Sequence, residues 1–134
     1  MTDDDLVLKN FDLLGRELGV EITPVRGPEI MGERQIKVRF GSAYCIADWW
    51  DRGLLFTLFL GRHYTIAGRR FVSEFEVDAY EESPLRRVAD HNDMEGQIKQ
   101  QFGLLRKHGL PWLRGDFSRE PFIRHRVRPA IVDD

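Results

Sequence analysis

The chain contains a single cysteine, Cys45, among its 134 residues. A lone cysteine cannot form a disulfide within the chain or a cysteine-only metal site, and it is typical of a reducing compartment. No stretch approaches the roughly 18 consecutive apolar residues that a membrane span requires. The first residues are acidic, from Asp3 to Asp5, where a secretory signal would be basic. These absences predict a soluble, cytoplasmic protein that does not enter a membrane.

An excess of positive charge is also absent. Lysine and arginine number 20 and aspartate and glutamate 22, so the formal net charge is −2. A chain of this charge has no overall positive field that would attract nucleic acid or an anionic membrane. The C-terminal tail nevertheless concentrates four arginines, Arg119, Arg124, Arg126 and Arg128. The overall charge therefore speaks against nucleic acid as the partner, and binding through the arginine-rich tail is kept as an alternative.

Sequence motifs of catalysis are missing as well. Neither the G-x-S-x-G pattern of a serine nucleophile nor the glycine spacing of a phosphate-binding loop occurs. His91, Asp93 and Glu95 are close in sequence, but a step of two residues spreads them around a helix axis. The sequence therefore predicts no metal site, no cofactor and no catalytic residue, and an enzyme stays an alternative.

Two periodicities organise the chain. Val7, Phe11, Leu14 and Leu18 step by three or four residues, which predicts a helix over 3–18 that ends at Gly19. Alternation of apolar and other residues then predicts strands, and helical spacing returns near the C-terminus. The predicted strands cover 36–40, 43–50, 54–60 and 71–77, with a loop over 61–70, and the second helix covers 92–108.

This order predicts the α+β class. We expect an antiparallel β-meander sheet of about four strands, with the N-terminal and C-terminal helices packed on it. Residues 1–118 would form a single domain. Residues 119–134 mix apolar side chains with arginine and proline, so we expect an extended C-terminal arm that lies against the domain or a neighbouring subunit.

The stretch ADWWDRGLLF, residues 47–56, is the main candidate for a site. With 51–53 as a three-residue loop, Trp50 would pair with Leu54 and Trp49 with Leu55, which makes both faces of the sheet apolar. One face would then need a partner or the chain's own loops as a cover. Asp48 would lie across from Phe56, where burial would raise its pKa, unless a slip of register moves it to the other face. The candidate binding residues are Asp48, Trp50, Arg52, His63 and Tyr64.

The segment LLRKHGLPWLRGDFS, residues 104–118, resembles a pattern in small uncharacterised bacterial proteins, some of them immunity-protein-like. In those proteins a late helix is followed by a turn of this composition after a short β-meander. The resemblance implies a cytoplasmic protein that binds another protein and carries no catalytic residues. The leading hypothesis is therefore a protein-binding module, immunity-like or regulatory, with self-association as a homodimer included. The alternative is a small-ligand pocket or enzyme around Asp48, Trp50 and His63.

Overall fold

The computed structural model describes residues 2–27, 29, 31–50, 55–81 and 93–131. In these residues the chain has the predicted α+β class, with helices and one antiparallel sheet in the order β1-β2-β3-β4-β5-β6. None of the helices formed by the described residues is long and apolar enough to cross a membrane. The elements are α1 (Asp3–Leu18), β1 (Val25–Arg26), β2 (Glu33–Phe40), β3 (Ala43–Trp50), β4 (Phe56–Ile66), β5 (Arg69–Glu76), α2 (Met94–Leu104), α3 (Leu110–Leu113) and β6 (Arg126–Pro129).

Helix α1 has the bounds that the sequence predicts. Thr2 and Asp5 form a capping box, in which each side chain accepts from the other's backbone N–H at 3.2 Å. Gly19 ends the helix with a left-handed φ of 68°. The apolar stripe of Val7, Phe11 and Leu14 is fully buried and belongs to the main core.

The sheet has six strands where about four were predicted. Strand β1 pairs with β2. It is only two residues long, which is too short to show an alternating pattern. Strand β6 lies in the predicted arm and pairs with β5. Within the predicted arm, Arg126–Pro129 lie extended against β5 and add the sixth strand to the sheet, whereas Glu120–Phe122 form a turn of 3-10 helix.

The predicted loop over 61–70 is wrong, because β4 and β5 continue into it as a hairpin. Ile66 pairs with Arg69, so Ala67 and Gly68 form a two-residue turn. Both have positive φ, 52° and 77°, as a type I′ hairpin turn requires. Alanine rarely occupies this conformation, and the sequence signal for the turn is correspondingly weak.

The register between β3 and β4 differs by one residue from the prediction. Trp49 pairs with Phe56 and Asp48 with Thr57. Since side chains alternate across a strand, the shift moves every β4 side chain to the opposite face. The helix face, which contacts α1 and α2, collects the buried side chains of Trp49, Phe56, Leu58 and Leu60.

The opposite side, here called the polar face, mixes side chains of both kinds. Gln35 and Asp48 lie side by side on it, as do Lys37 and Ile46. The expectation that both faces are apolar is therefore wrong. The main core lies on the helix face, while Tyr44 and Val72 are fully buried on the polar face.

Helix α2 completes the hydrogen bonding of β4. Strand β5 pairs with β4 only from Phe59 onward, so the first three residues of β4, 56–58, have no β5 residue beside them. Gln97 accepts the backbone N–H of Phe56 at 3.0 Å, and Gln101 accepts that of Leu58 at 3.1 Å. The i, i+4 spacing of the glutamines on the helix matches the i, i+2 spacing of the strand, which fixes α2 against this edge.

The sequence predicts that the second helix ends before Gly109, and this is wrong. The helix continues through a π-helical turn, Leu105–Gly109, into the single turn of α3, where Pro111 is tolerated near the N-terminus. Trp112 donates its indole N–H to the carbonyl oxygen of Gly61 at 2.9 Å. Trp112 and Leu113 are buried in the main core and anchor this segment to it.

Candidate functional site

Asp48 lies on the polar face beside two β2 side chains. The Gln35 amide donates to the Asp48 carboxylate at 3.4 Å. Glu33, two residues before Gln35 in β2, lies on the same face. Burial raises the pKa of Asp48 to about 6. A hydrogen bond with Glu33 and the repulsion between the two carboxylates raise it further, whereas the hydrogen bond from Gln35 lowers it. The predicted rise in pKa is therefore present, although its cause includes Glu33 and the residue across from Asp48 is Thr57.

The four predicted site residues that the structure describes do not come together in one pocket. Trp50 shares the polar face with Asp48 and is 46% exposed, and Arg52 lies outside the described residues. His63 is six residues along β4 from Thr57, the partner of Asp48, which places it about 20 Å away. His63 instead contacts the ring of Tyr44, at 5.2 Å between centroids. Tyr64, as the next residue in the strand, faces the opposite side of the sheet.

The helix face continues beyond the helices into a second apolar region at the outer end of β4, β5 and β6. Tyr64 stacks on Phe71, its partner across the strands, at 5.8 Å between ring centroids. Pro129 of β6 pairs with Phe71 on the other side. By strand alternation one surface collects these side chains and their neighbours, here called the outer patch: Tyr64, Ile66, Phe71, Val127, Pro129 and Ile131.

The outer patch is open to solvent. Ile66 is 58% exposed, Val127 48% and Ile131 63%. Tyr64 and Phe71 are half-buried, and Pro129 is exposed. Contiguous exposed apolar side chains of this kind mark an interaction surface, whereas single exposed ones need no explanation.

A rigid polar contact forms the inner boundary of the outer patch. Arg62 binds both carboxylate oxygens of Glu120, at 2.7 and 2.8 Å, and this pairing lowers the pKa of Glu120. The same guanidinium lies 4.5 Å from the Tyr64 ring centroid and 5.0 Å from that of Phe117. Phe117 in turn packs edge-on against Trp112. Arg62 therefore holds the Tyr64 ring from one side, so the position of this ring in the outer patch is already set in the free chain.

The two edges of the sheet are poorly suited to adding another strand. Ala130 donates its N–H to Arg70 at 3.0 Å, so alternate β6 residues bond inward and the nitrogens of Val127 and Pro129 point outward. Proline has no N–H to offer there, a common protection of edge strands. At the other edge β1 has only two residues.

Sequence reasoning missed the outer patch because 61–70 was taken as a loop. The signal was present but short: Tyr64, Ile66 and Phe71 flank the Ala67–Gly68 turn at alternating positions. The polar residues between them, among them Arg69 and Arg70, interrupt the alternation of apolar and polar side chains in the sequence. Val127 and Ile131 are 48% and 63% exposed, and their place beside Tyr64 depends on the pairing of β5 with β6.

Searches of protein-family models, of curated proteins and of solved structures find no match to the chain. The immunity-protein-like resemblance of residues 104–118 therefore stays a prediction.

Proposed function

We propose that the chain is a protein-binding module and that it contacts its partner through the outer patch. The observation that carries the proposal is the exposure of Ile66, Val127 and Ile131 on the same face as the stacked Tyr64–Phe71 pair. Apolar and aromatic side chains at the centre of an interface supply most of its binding energy. An immunity-like or regulatory role is consistent with such a surface, and it is the form of the proposal that the resemblance of residues 104–118 favours.

Charge next to the outer patch favours a partner with an acidic rim. Arg69 pairs with Ile66 inside the patch and is exposed, and the adjacent Arg70 is exposed on the polar face. Two copies meeting patch to patch would bring the Arg69 side chains of both towards each other, which is unfavourable. We therefore favour a different protein, one with apolar anchors and nearby carboxylates, over a second copy of this chain.

The test compares two matched substitutions. Ile66→Asp places a charge in the outer patch, and Val25→Asp places one on β1, where Val25 is 59% exposed against 58% for Ile66. Both variants and the wild type are immobilised and exposed to extract from the native cell. The proposal requires a protein that the wild type and Val25→Asp retain and that Ile66→Asp loses. Equal retention by all three would refute the use of the patch.

Self-association is measured separately by analytical ultracentrifugation of the purified chain. We expect a monomer. A dimer that dissociates in Ile66→Asp and persists in Val25→Asp would show that the patch binds a second copy and would replace the proposed partner.

A further inference from the structure

A cleft opens on the polar face, on the other side of the sheet from the outer patch. It lies between the end of β5, strand β6 and the residues just before β6, and its volume is about 690 Å³. This volume falls within the range of about 300–1,000 Å³ that small-molecule sites occupy. The half-buried ring of Phe59 contributes to its lining.

One wall of the cleft is basic. Arg124, His125, Arg126 and Arg128 all line it. Arg126 and Arg128 alternate onto the same face of β6, and Arg124 and Arg126 are exposed. Guanidinium groups present planar pairs of donors that match the oxygens of a phosphate, and several around one cleft suit a multiply charged anion.

Glu74 and Glu76 of the neighbouring strand β5 also line the cleft. Glu74 pairs with Arg126 across the strands and accepts the hydroxyl of Tyr44 at 2.6 Å. Tyr44 is itself fully buried, with the ammonium of Lys37 4.3 Å from its ring centroid. The Glu74 carboxylate is therefore held in place, where it can accept hydrogen bonds from hydroxyl groups of a ligand.

We propose that this cleft binds a small organic phosphate that carries hydroxyl groups, such as a sugar phosphate or a nucleoside monophosphate. The arginine wall takes the phosphate, and the carboxylates of Glu74 and Glu76 take the hydroxyl groups. A continuous nucleic-acid strand fits less well, because the same carboxylates would repel its successive phosphates. The inference does not depend on the proposed protein partner, which uses the other face.

Isothermal titration calorimetry of the full chain tests the proposal with four probes: ribose 5-phosphate, adenosine monophosphate, inorganic phosphate and a single-stranded oligonucleotide. We expect both organic phosphates to bind, and more tightly than inorganic phosphate. Arg126→Ala should weaken the binding of both about tenfold or more, the usual effect of losing a hydrogen bond between charged groups. Circular dichroism of the Arg126→Ala protein checks that this variant folds.

Arg39→Ala is the matched control. Arg39 is exposed on the same face and in the same cross-strand row as Arg126, four strand spacings or about 19 Å away. It should leave the affinity unchanged, as should Ile66→Asp on the outer patch. Absence of organic phosphate binding at millimolar concentration, binding of the oligonucleotide alone, equal affinity for inorganic phosphate, or an equal loss in Arg39→Ala would each overturn the proposal.

Discussion

The contact of Tyr44 with Gly61 allows a quantitative prediction. The two residues pair across β3 and β4, and the Tyr44 ring lies flat over the glycine. A Cβ built on Gly61 would stand 2.1 Å from Cζ of Tyr44 and 2.4 Å from its hydroxyl oxygen. Neither distance is sterically possible, so Gly61→Ala must displace the ring.

Displacement is costly because the ring is held on several sides. Turning it into solvent would expose about 150 Å² of aromatic surface, worth about 4 kcal/mol, and would break the hydroxyl bond to Glu74. A smaller shift within the packed site costs about 1–3 kcal/mol, as overpacking usually does. We therefore expect Gly61→Ala to lower the free energy of unfolding by about 2–3 kcal/mol, measured by urea denaturation.

A double-mutant cycle isolates the cause. In a Tyr44→Ala background the added methyl group meets open space, and alanine is preferred over glycine in a strand by about 0.5–1 kcal/mol. Gly61→Ala should then be neutral or slightly stabilising, which gives a coupling energy of about 2–4 kcal/mol. An effect below about 0.5 kcal/mol in the wild type, or the same penalty in both backgrounds, would refute the reasoning.

Three further perturbations follow from the geometry. Asp48 keeps its proton up to a pKa of about 6 in the native state but releases it near 3.8 when unfolded, so stability should fall by about 1–2 kcal/mol between pH 4 and 7, after a discount for its partial exposure. Asp48→Asn should remove that slope in urea titrations, and an unchanged slope would assign it to other groups. Gln101→Leu removes the acceptor of the buried Leu58 N–H and the donor to Asp78, and it should cost about 1–3 kcal/mol. Lys99→Leu on the exposed side of α2 should change stability by less than about 0.5 kcal/mol. Truncation after Ser118 removes β6 and the buried Ile123, so thermal melts should show a loss that persists in high salt, and an unchanged melting temperature would contradict the packing of the arm.

Local patterns predicted the elements with strong periodicity or clear caps. Helix α1 was found with its N-terminal acidic residues and its Gly19 cap, and β3 has the predicted bounds. The strands that were missed have weak signals. Strand β1 is too short for a pattern, and β6 alternates arginine with Val127 and Pro129, which resembles an exposed tail until β5 is beside it.

The candidate site depended on long-range pairing, which local patterns do not determine. Gly53 suggested a three-residue loop that would pair Trp49 with Leu55, but Trp49 pairs with Phe56. One residue of register then decided which side chains share a face with Asp48. The outer patch combines strands that begin 70 residues apart in sequence, at 56 and 126. Its composition could not be read from either segment alone.

The central claim is that the outer patch is the surface that contacts a protein partner. Hydroxyl-radical footprinting, read by mass spectrometry, measures the accessibility of individual side chains in the free chain and in the complex with the captured protein. We predict that Tyr64, Ile66 and Ile131 lose reactivity on binding while Met31, which is 95% exposed, keeps it. Protection of Met31 and Trp50 with an unchanged outer patch would contradict the account.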